Sequence, residues 1–374
     1  MDNILLSSAL AFLITFFAIP AIIQVAKNKK LFDEPDERKV HKAVIPTLGG
    51  LGIFAGFIIA TLMGVPGGVS TELQYFMAAV MVIFFLGIKD DILVLSASKK
   101  FIGQLIAAGI IIKFGGIQIN NMHGFLGINE IPHIASIVLT SFTIIVITNS
   151  FNLIDGIDGL AGALGLVTSL VFGLYFYFTG QLMYSVMALA LTGSLIAFLI
   201  YNFSPAKIFM GDTGSLLIGL LNSIFAIKFI AIASDPLSGL PLASAPAIGF
   251  AILIVPLFDT LRVFSLRIFK RRSPFSPDRN HIHHFLLDLG LSHKAITLIC
   301  VGANLILIAL AYFLRSYGTT MVIGALATAS LLFVTITYYS RPRSRYSIQE
   351  IEHEEKIIKS HKVLTLVGES INQD

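Results

Sequence analysis

The stretch Asn149-Ser-Phe-Asn152-Leu-Ile-Asp155-Gly-Ile-Asp158-Gly-Leu-Ala-Gly162 decides how this chain is read. It sits between two long apolar runs. Asn149, Asn152, Asp155 and Asp158 recur in it at every third position. On a helix, residues three apart face the same way, so adjacent members of the series can share one ligand. Gly156, Gly159 and Gly162 let the backbone bend and approach a ligand closely. A carboxylate at the bilayer centre costs roughly 2.5–3.5 kcal/mol on insertion scales. Such a cluster therefore belongs at a membrane face, holding something. A plain inter-helix turn does not need four metal-capable side chains.

The rest of the chain supplies the membrane. Only 13% of its residues are charged and 55% are hydrophobic, against about 25% charged in a soluble domain, and the mean hydropathy is +0.84. The composition predicts an all-α polytopic protein with one integral domain over 1–340 and a polar tail over 341–374. The first apolar segment lacks a small-residue cleavage site and reads as a retained helix. The one cysteine, Cys300, excludes an internal disulfide and any cysteine-based metal cluster.

Eleven apolar segments are expected to span the bilayer: 3–26, 48–66, 72–88, 101–114, 133–150, 160–178, 181–200, 213–233, 242–266, 295–314 and 318–339. Alternate connections then hold 22 of the 26 Lys and Arg residues. Positive-inside bias places those connections in the cytoplasm, the N-terminus outside and the C-terminus inside. The basic excess is thus a topology signal and an attraction to anionic lipid and phosphate, with no call for nucleic acid. On the outer side, segment 115–132 alternates Ile117 and Ile119, then turns through Gly and Asn, which predicts a small periplasmic β-hairpin.

Every unusual polar cluster falls on the cytoplasmic side. The first loop carries Arg38, Lys39 and His41, able to hold a lipid phosphate at the surface. Asp90 and Asp91 end the third span, and Lys99 and Lys100 open the fourth. Adjacent carboxylates repel, so a cation is expected nearby. Phe209-Met-Gly211-Asp212-Thr-Gly-Ser215 opens the eighth span, where Asp212 is placed to cap the helix and the free N–H groups suit a phosphate. Asp259 and Arg262, three apart, read as an internal ion pair. Arg279 then leads into His281-Ile-His283-His284. A His-x-His-His run can bind a transition metal, but its arginine-rich flank suits phosphate or nucleotide better. The tail, with Ile348, Ile351, Ile357 and Ile358, fits a surface-lying amphipathic helix. A transporter would place ionisable groups near the midplane of several spans. Charge gathered at one face instead describes an enzyme acting on a lipid-embedded substrate, with carboxylates, Lys, Arg and His arranged for magnesium-dependent phosphoryl chemistry.

Taken together and in this order, Asp90-Asp91, Asn149-x-x-Asn152-x-x-Asp155-Gly-x-Asp158-Gly, Phe209-Met-Gly-Asp212-Thr-Gly-Ser and His281-Ile-His-His284 resemble the polyprenyl-phosphate N-acetylhexosamine-1-phosphate transferase family, from about residue 33 to 293. The His-Ile-His-His form is similar to the undecaprenyl-phosphate N-acetylglucosamine-1-phosphate branch that starts O-antigen, enterobacterial common antigen or teichoic acid linkage units. The peptidoglycan branch, which transfers phospho-N-acetylmuramoyl-pentapeptide, usually has three adjacent histidines. The resemblance implies transfer of N-acetylglucosamine-1-phosphate from UDP-N-acetylglucosamine to undecaprenyl phosphate with release of UMP, at the cytoplasmic face of a bacterial inner membrane. It implies Mg²⁺, with Mn²⁺ as substitute, on Asn152 and Asp212. Lys100 would bind the pyrophosphate, and Asp90 or Asp91 would orient or deprotonate the lipid phosphate. Asp155, Asp158, Asn149, Gly211, Arg279, His281, His283 and His284 would line the nucleotide-sugar site. The peptidoglycan branch and a lipid or nucleotide-sugar transporter are the alternatives, and homodimerisation is left open.

Overall fold

The computed structural model describes residues 2–29, 32–33, 45–65, 70–271 and 280–341. Thirteen helices dominate the described residues. They are α1 (Asp2–Lys29), α2 (Gly49–Gly64), α3 (Thr71–Leu93), α4 (Ala97–Lys113), α5 (His133–Ile154), α6 (Leu160–Phe178), α7 (Leu182–Asn202), α8 (Gly211–Ala233), α9 (Ala245–Ile252), α10 (Ile254–Phe269), α11 (Ile282–Asp288), α12 (His293–Phe313) and α13 (Thr319–Ser340). Two short antiparallel pairs complete them: β1 (Phe32–Asp33) with β2 (Ile45–Pro46), and β3 (Asn121–Phe125) with β4 (Ile128–Glu130). All eleven expected segments are helical. By length and composition seven helices can cross a membrane, α1, α5, α6, α7, α8, α12 and α13, and the α9–α10 pair makes an eighth if it is one span. The protein is a multi-pass all-α membrane protein. Arg38, Lys39, His41, Arg279 and the tail from residue 342 lie outside the described residues.

Helix α8 is the axis of the bundle. Of its most apolar window, 78% is buried by protein, against 22% for α1 at the periphery. Helices α2, α3 and α5 pack against it. Small residues let their backbones meet: a Cβ added to Gly50 would lie 2.2 Å from Gly214 N, and one on Gly87 would lie 2.5 Å from Thr213 Cα. In a lipid solvent, dispersion between closely approaching backbones replaces hydrophobic burial as the force joining helices. The loop before α2 is stitched to the same point. Phe209 N–H donates to Pro46 O, Gly49 N–H to Phe209 O and Gly50 N–H to Met210 O. The flanks of the first basic loop are thereby fixed beside the N-terminus of α8.

The sequence reading needs two corrections here. The alternating residues Ile117 and Ile119 precede the hairpin, whose strands begin at Asn121. Its two-residue turn is Leu126-Gly127, both at positive φ, 53° and 77°, the twist that a tight hairpin demands. Leu126 is held there by its N–H donating to Thr320 Oγ1 at 2.7 Å. More consequentially, the expected ninth span, 242–266, is not one helix. It breaks at Leu253, and α10 leaves α9 at 85°. Pro256 lies in the first turn of α10, where its missing N–H costs nothing. The groups freed at the break are Val255 N–H and Ile252 C=O. Both bind the side chain of Asn304 from α12, at 3.2 and 3.0 Å, and Asn304 is fully buried. This is how irregular backbone survives at membrane depth.

Replacing Asn304 with Leu leaves both groups unpaired in apolar surroundings, at about 1–3 kcal/mol each. Thermal unfolding in detergent should show a loss of ~2–6 kcal/mol. An unchanged transition would contradict the plug.

Candidate active site

Helices α3, α4, α5 and α8 meet at one end of the bundle, and each brings polar groups there. Asp90 sits at the C-terminal end of α3. Its Oδ1 accepts the Leu95 N–H, fixing the turn into α4. Its Oδ2 pairs with Lys100 Nζ, carried on the first turns of α4. The same ammonium lies 2.5 Å from Asp212 Oδ2, at the start of α8. Asn152, near the end of α5, donates through Nδ2 to Asp212 Oδ1 at 2.9 Å and to Ser215 Oγ at 3.0 Å. Its oxygen is the atom left for a ligand.

Asp91 has a different occupation. Its carboxylate accepts from Asp212 N–H at 2.7 Å, Thr213 N–H at 3.1 Å and Thr213 Oγ1–H at 2.5 Å. These are first-turn donors of α8, otherwise unsatisfied. The capping carboxylate thus comes from α3, and the expectation that Asp212 caps its own helix is corrected: α8 starts at Gly211 with no side-chain cap. Freed from capping, Asp212 points at Lys100. Gly211 makes the clasp possible. Its φ is 70°, and a Cβ there would come 2.2 Å from Thr47 O and 2.7 Å from Asp91 Oδ1.

The central stretch divides in two. Asn149 exchanges hydrogen bonds with Gln104 of α4, Nδ2 to Oε1 at 2.8 Å and Nε2 to Oδ1 at 3.2 Å. Gln104 escaped the sequence reading, although a lone amide one turn after Lys100 in an apolar helix is a usable signal. Asp155 ends α5, makes no hydrogen bond to another described residue and is partly exposed. Crowding by protein, then the charges of Asp212, Asp91 and Asp158, pushes its carboxyl up to about 8. Asp158 is not the ligand-facing group that was expected. It is buried, with Oδ2 accepting Ala206 N–H at 3.1 Å and Oδ1 3.3 Å from His293 Nδ1, while its carbonyl accepts the Thr297 hydroxyl. It locks the α5–α6 loop to α12 and to the α7–α8 loop.

The histidines arrive from the other side. The Asp259–Arg262 pair forms as expected, at 2.9 Å, and Asp259 also holds His281. His283 is buried against the central loop: a Cβ on Gly156 would lie 2.4 Å from its Nε2. Burial first, with His284, His281 and His293 beside it, pulls the His283 imidazole down to about 3. It is therefore a neutral hydrogen-bonding group. The His281 and His283 rings lie parallel, 5.8 Å apart, and His284 lies 4.2 Å from His283. A cavity of about 460 Å³ joins the halves, with Lys100, Asn149 and Asn152 on one wall and His281, His283 and His284 on the other. Gln104, Phe264 and Arg267 also line it.

The donor set suits Mg²⁺. Among the described residues no three His, Cys, Asp or Glu side chains converge as a ready-made cage. Mg²⁺ rarely needs one, because it binds through one or two carboxylates plus substrate phosphates. The Lys100 ammonium marks a point where two carboxylate oxygens already converge on positive charge.

Gly156→Ala should displace His283 and reduce kcat/KM at least tenfold, since misplacement by about 1 Å can cost 10²-fold. His283→Gln, which stays neutral, should retain more activity than His283→Lys. A group with its pKa near 3 is already deprotonated at working pH, so the acid limb of the pH–rate profile should be the same in His283→Gln as in wild type. A limb that vanishes in this variant would show that His283 is charged after all.

The family model described as glycosyl transferase family 4 matches residues 73–230. A Bacillus subtilis protein named as a probable undecaprenyl-phosphate N-acetylglucosaminyl 1-phosphate transferase is 33% identical over 80% of this chain and 82% of its own length. The decaprenyl-phosphate N-acetylglucosaminephosphotransferase of Mycobacterium tuberculosis (strain CDC 1551 / Oshkosh) is 34% identical over 77% of each chain. The undecaprenyl-phosphate alpha-N-acetylglucosaminyl 1-phosphate transferase of Escherichia coli (strain K12) is 31% identical over 76% of each. With its motifs gathered around one cavity and relatives matched along most of its length, the chain belongs to glycosyl transferase family 4, among the polyprenyl-phosphate N-acetylglucosamine-1-phosphate transferases.

Proposed function

We propose that the protein transfers N-acetylglucosamine-1-phosphate from UDP-N-acetylglucosamine to undecaprenyl phosphate, giving the lipid-linked sugar diphosphate and UMP. One observation carries the reading: a single cavity, sized for a nucleotide-sized ligand, unites Lys100, the partner of Asp212, with Asn149, Asn152 and the three histidines. The relatives' names supply the sugar and lipid class.

In this reading an oxygen of the lipid phosphate attacks the β-phosphorus of the nucleotide sugar. The bond from that phosphorus to the bridging oxygen breaks, and UMP leaves. A phosphate monoester has its second pKa near ~6, so the attacking group is already largely dianionic at neutral pH. Asp90, with one oxygen on the Leu95 N–H and the other on Lys100, therefore orients and need not deprotonate. Asp91 holds the N-terminus of α8, and Lys100 faces the diphosphate. Asp212 and the oxygen of Asn152 would hold Mg²⁺, which when bound neutralises the diphosphate and stabilises the leaving UMP. Eleven spans, an outer N-terminus and hairpin, and a cytoplasmic active site and tail complete the proposal, supported by the distribution of Lys and Arg.

Purified protein given undecaprenyl phosphate, Mg²⁺ and a panel of UDP-sugars should release UMP with UDP-N-acetylglucosamine. Excess EDTA should abolish turnover, and Asp212→Asn should reduce it roughly 10²-fold or more while leaving the protein folded. Substrate flux across vesicles without UMP would point to a transporter. Full activity in EDTA would remove the metal assignment.

A further inference from the structure

Asp259 does more than neutralise an arginine. It is buried on α10, and its carboxylate, together with Arg262, grips three successive residues of the histidine segment. Oδ2 lies 2.8 Å from His281 Nδ1, and Oδ1 accepts the Ile282 N–H at 3.0 Å. Arg262, paired to Oδ1, donates in turn to the Asn280 carbonyl. A carboxylate paired with a guanidinium can only accept, so His281 Nδ1 carries the hydrogen. The imidazole lines the cavity, and Nε2 is the ring nitrogen left to act there. Fixing one nitrogen to select the role of the other is a general use of an aspartate behind a histidine.

We propose that Asp259 is a positioning residue that orients His281 so that Nε2 is the atom meeting the bound nucleotide sugar. The inference rests on the functional reading above. The competing account makes Asp259 a counter-ion for Arg262 and His281 a packing group.

Amide substitutions separate the two accounts. Asparagine places its amide near the position of Nδ1, and glutamine near that of Nε2. His281→Asn should keep the contact to Asp259 and a near-native thermal transition, yet lose turnover about 100-fold, the same loss expected of His281→Ala. His281→Gln should recover a substantial part of that loss. Asp259→Asn can offer N–H to Nδ1 and select the wrong tautomer, so it should lower kcat by a similar factor. Joined to His281→Ala it should add little, because both act through one nitrogen. His281→Asn with wild-type turnover, or losses that multiply in the double variant, would overturn the inference. If Asp259→Asn fails to fold, the His281 series decides alone. Wild-type protein that releases no UMP overturns the functional reading and this inference with it. Wild-type turnover with an unimpaired His281→Asn overturns only the inference.

Discussion

One ammonium group holds the polar end of this bundle together. Lys100 Nζ lies between Asp90 and Asp212, two carboxylates on different helices that would otherwise repel at short range in a poorly screened setting. Through Asp90 the contact fixes the α3–α4 turn, and through Asp212 it reaches α8 and then Asn152 on α5. Asp91 adds a second tie by capping α8 from α3. These contacts tie the four helices together at this end of the bundle. Removing one partner from such a network costs more than the pair contributes, because the remaining charge is stranded.

The apolar part of the fold serves that convergence. Gly50, Gly87 and Gly214 let α2, α3 and α8 touch backbone to backbone just beyond the carboxylates. On the far side the chain breaks at Leu253, where Asn304 takes up the freed groups, and α10 beyond the break carries Asp259, which holds His281 at the cavity. The two walls then differ in electrostatics. Beside Lys100 the carboxylates of Asp90 and Asp212 share one ammonium, and Asp155 is pushed up to about 8, first by crowding by protein and then by the charges of Asp212, Asp91 and Asp158. The histidine wall includes a ring kept neutral by burial. A cation and a diphosphate suit the first wall, and a polar, uncharged portion of a ligand suits the second.

Much of this could be read from the residues. Apolar runs located every long helix, though they merged α9 with α10 and missed the short α11, and the spacing of Asp259 and Arg262 foretold their pair. The grouping of Lys100, Asn149, Asn152, Asp212 and the histidines followed from placing all charged clusters on one face. What stayed hidden was which partner each group takes. Asp91 and Asp212 are both acidic and both near a helix end, and only the packing of α3 on α8 decides that Asp91 caps. Asp158 shares its periodicity with Asp155, yet the loop turns it inward toward His293. Gln104 and Asn304 are single amides in apolar helices, and a single residue reveals no partner. The break at Leu253 left no run of polar residues, because its hydrogen bonds are satisfied from a helix some fifty positions away.

The central claim is that the Lys100-linked carboxylates form the place where cation and diphosphate meet. It is tested most directly by anomalous diffraction from crystals of the protein grown with Mn²⁺ and UDP-N-acetylglucosamine. The account predicts one manganese peak within bonding distance of Asp212 and of the nucleotide's diphosphate, with Lys100 turned toward phosphate. A peak among His281, His283 and His284, or none near Asp212 with the diphosphate bound elsewhere, would contradict it.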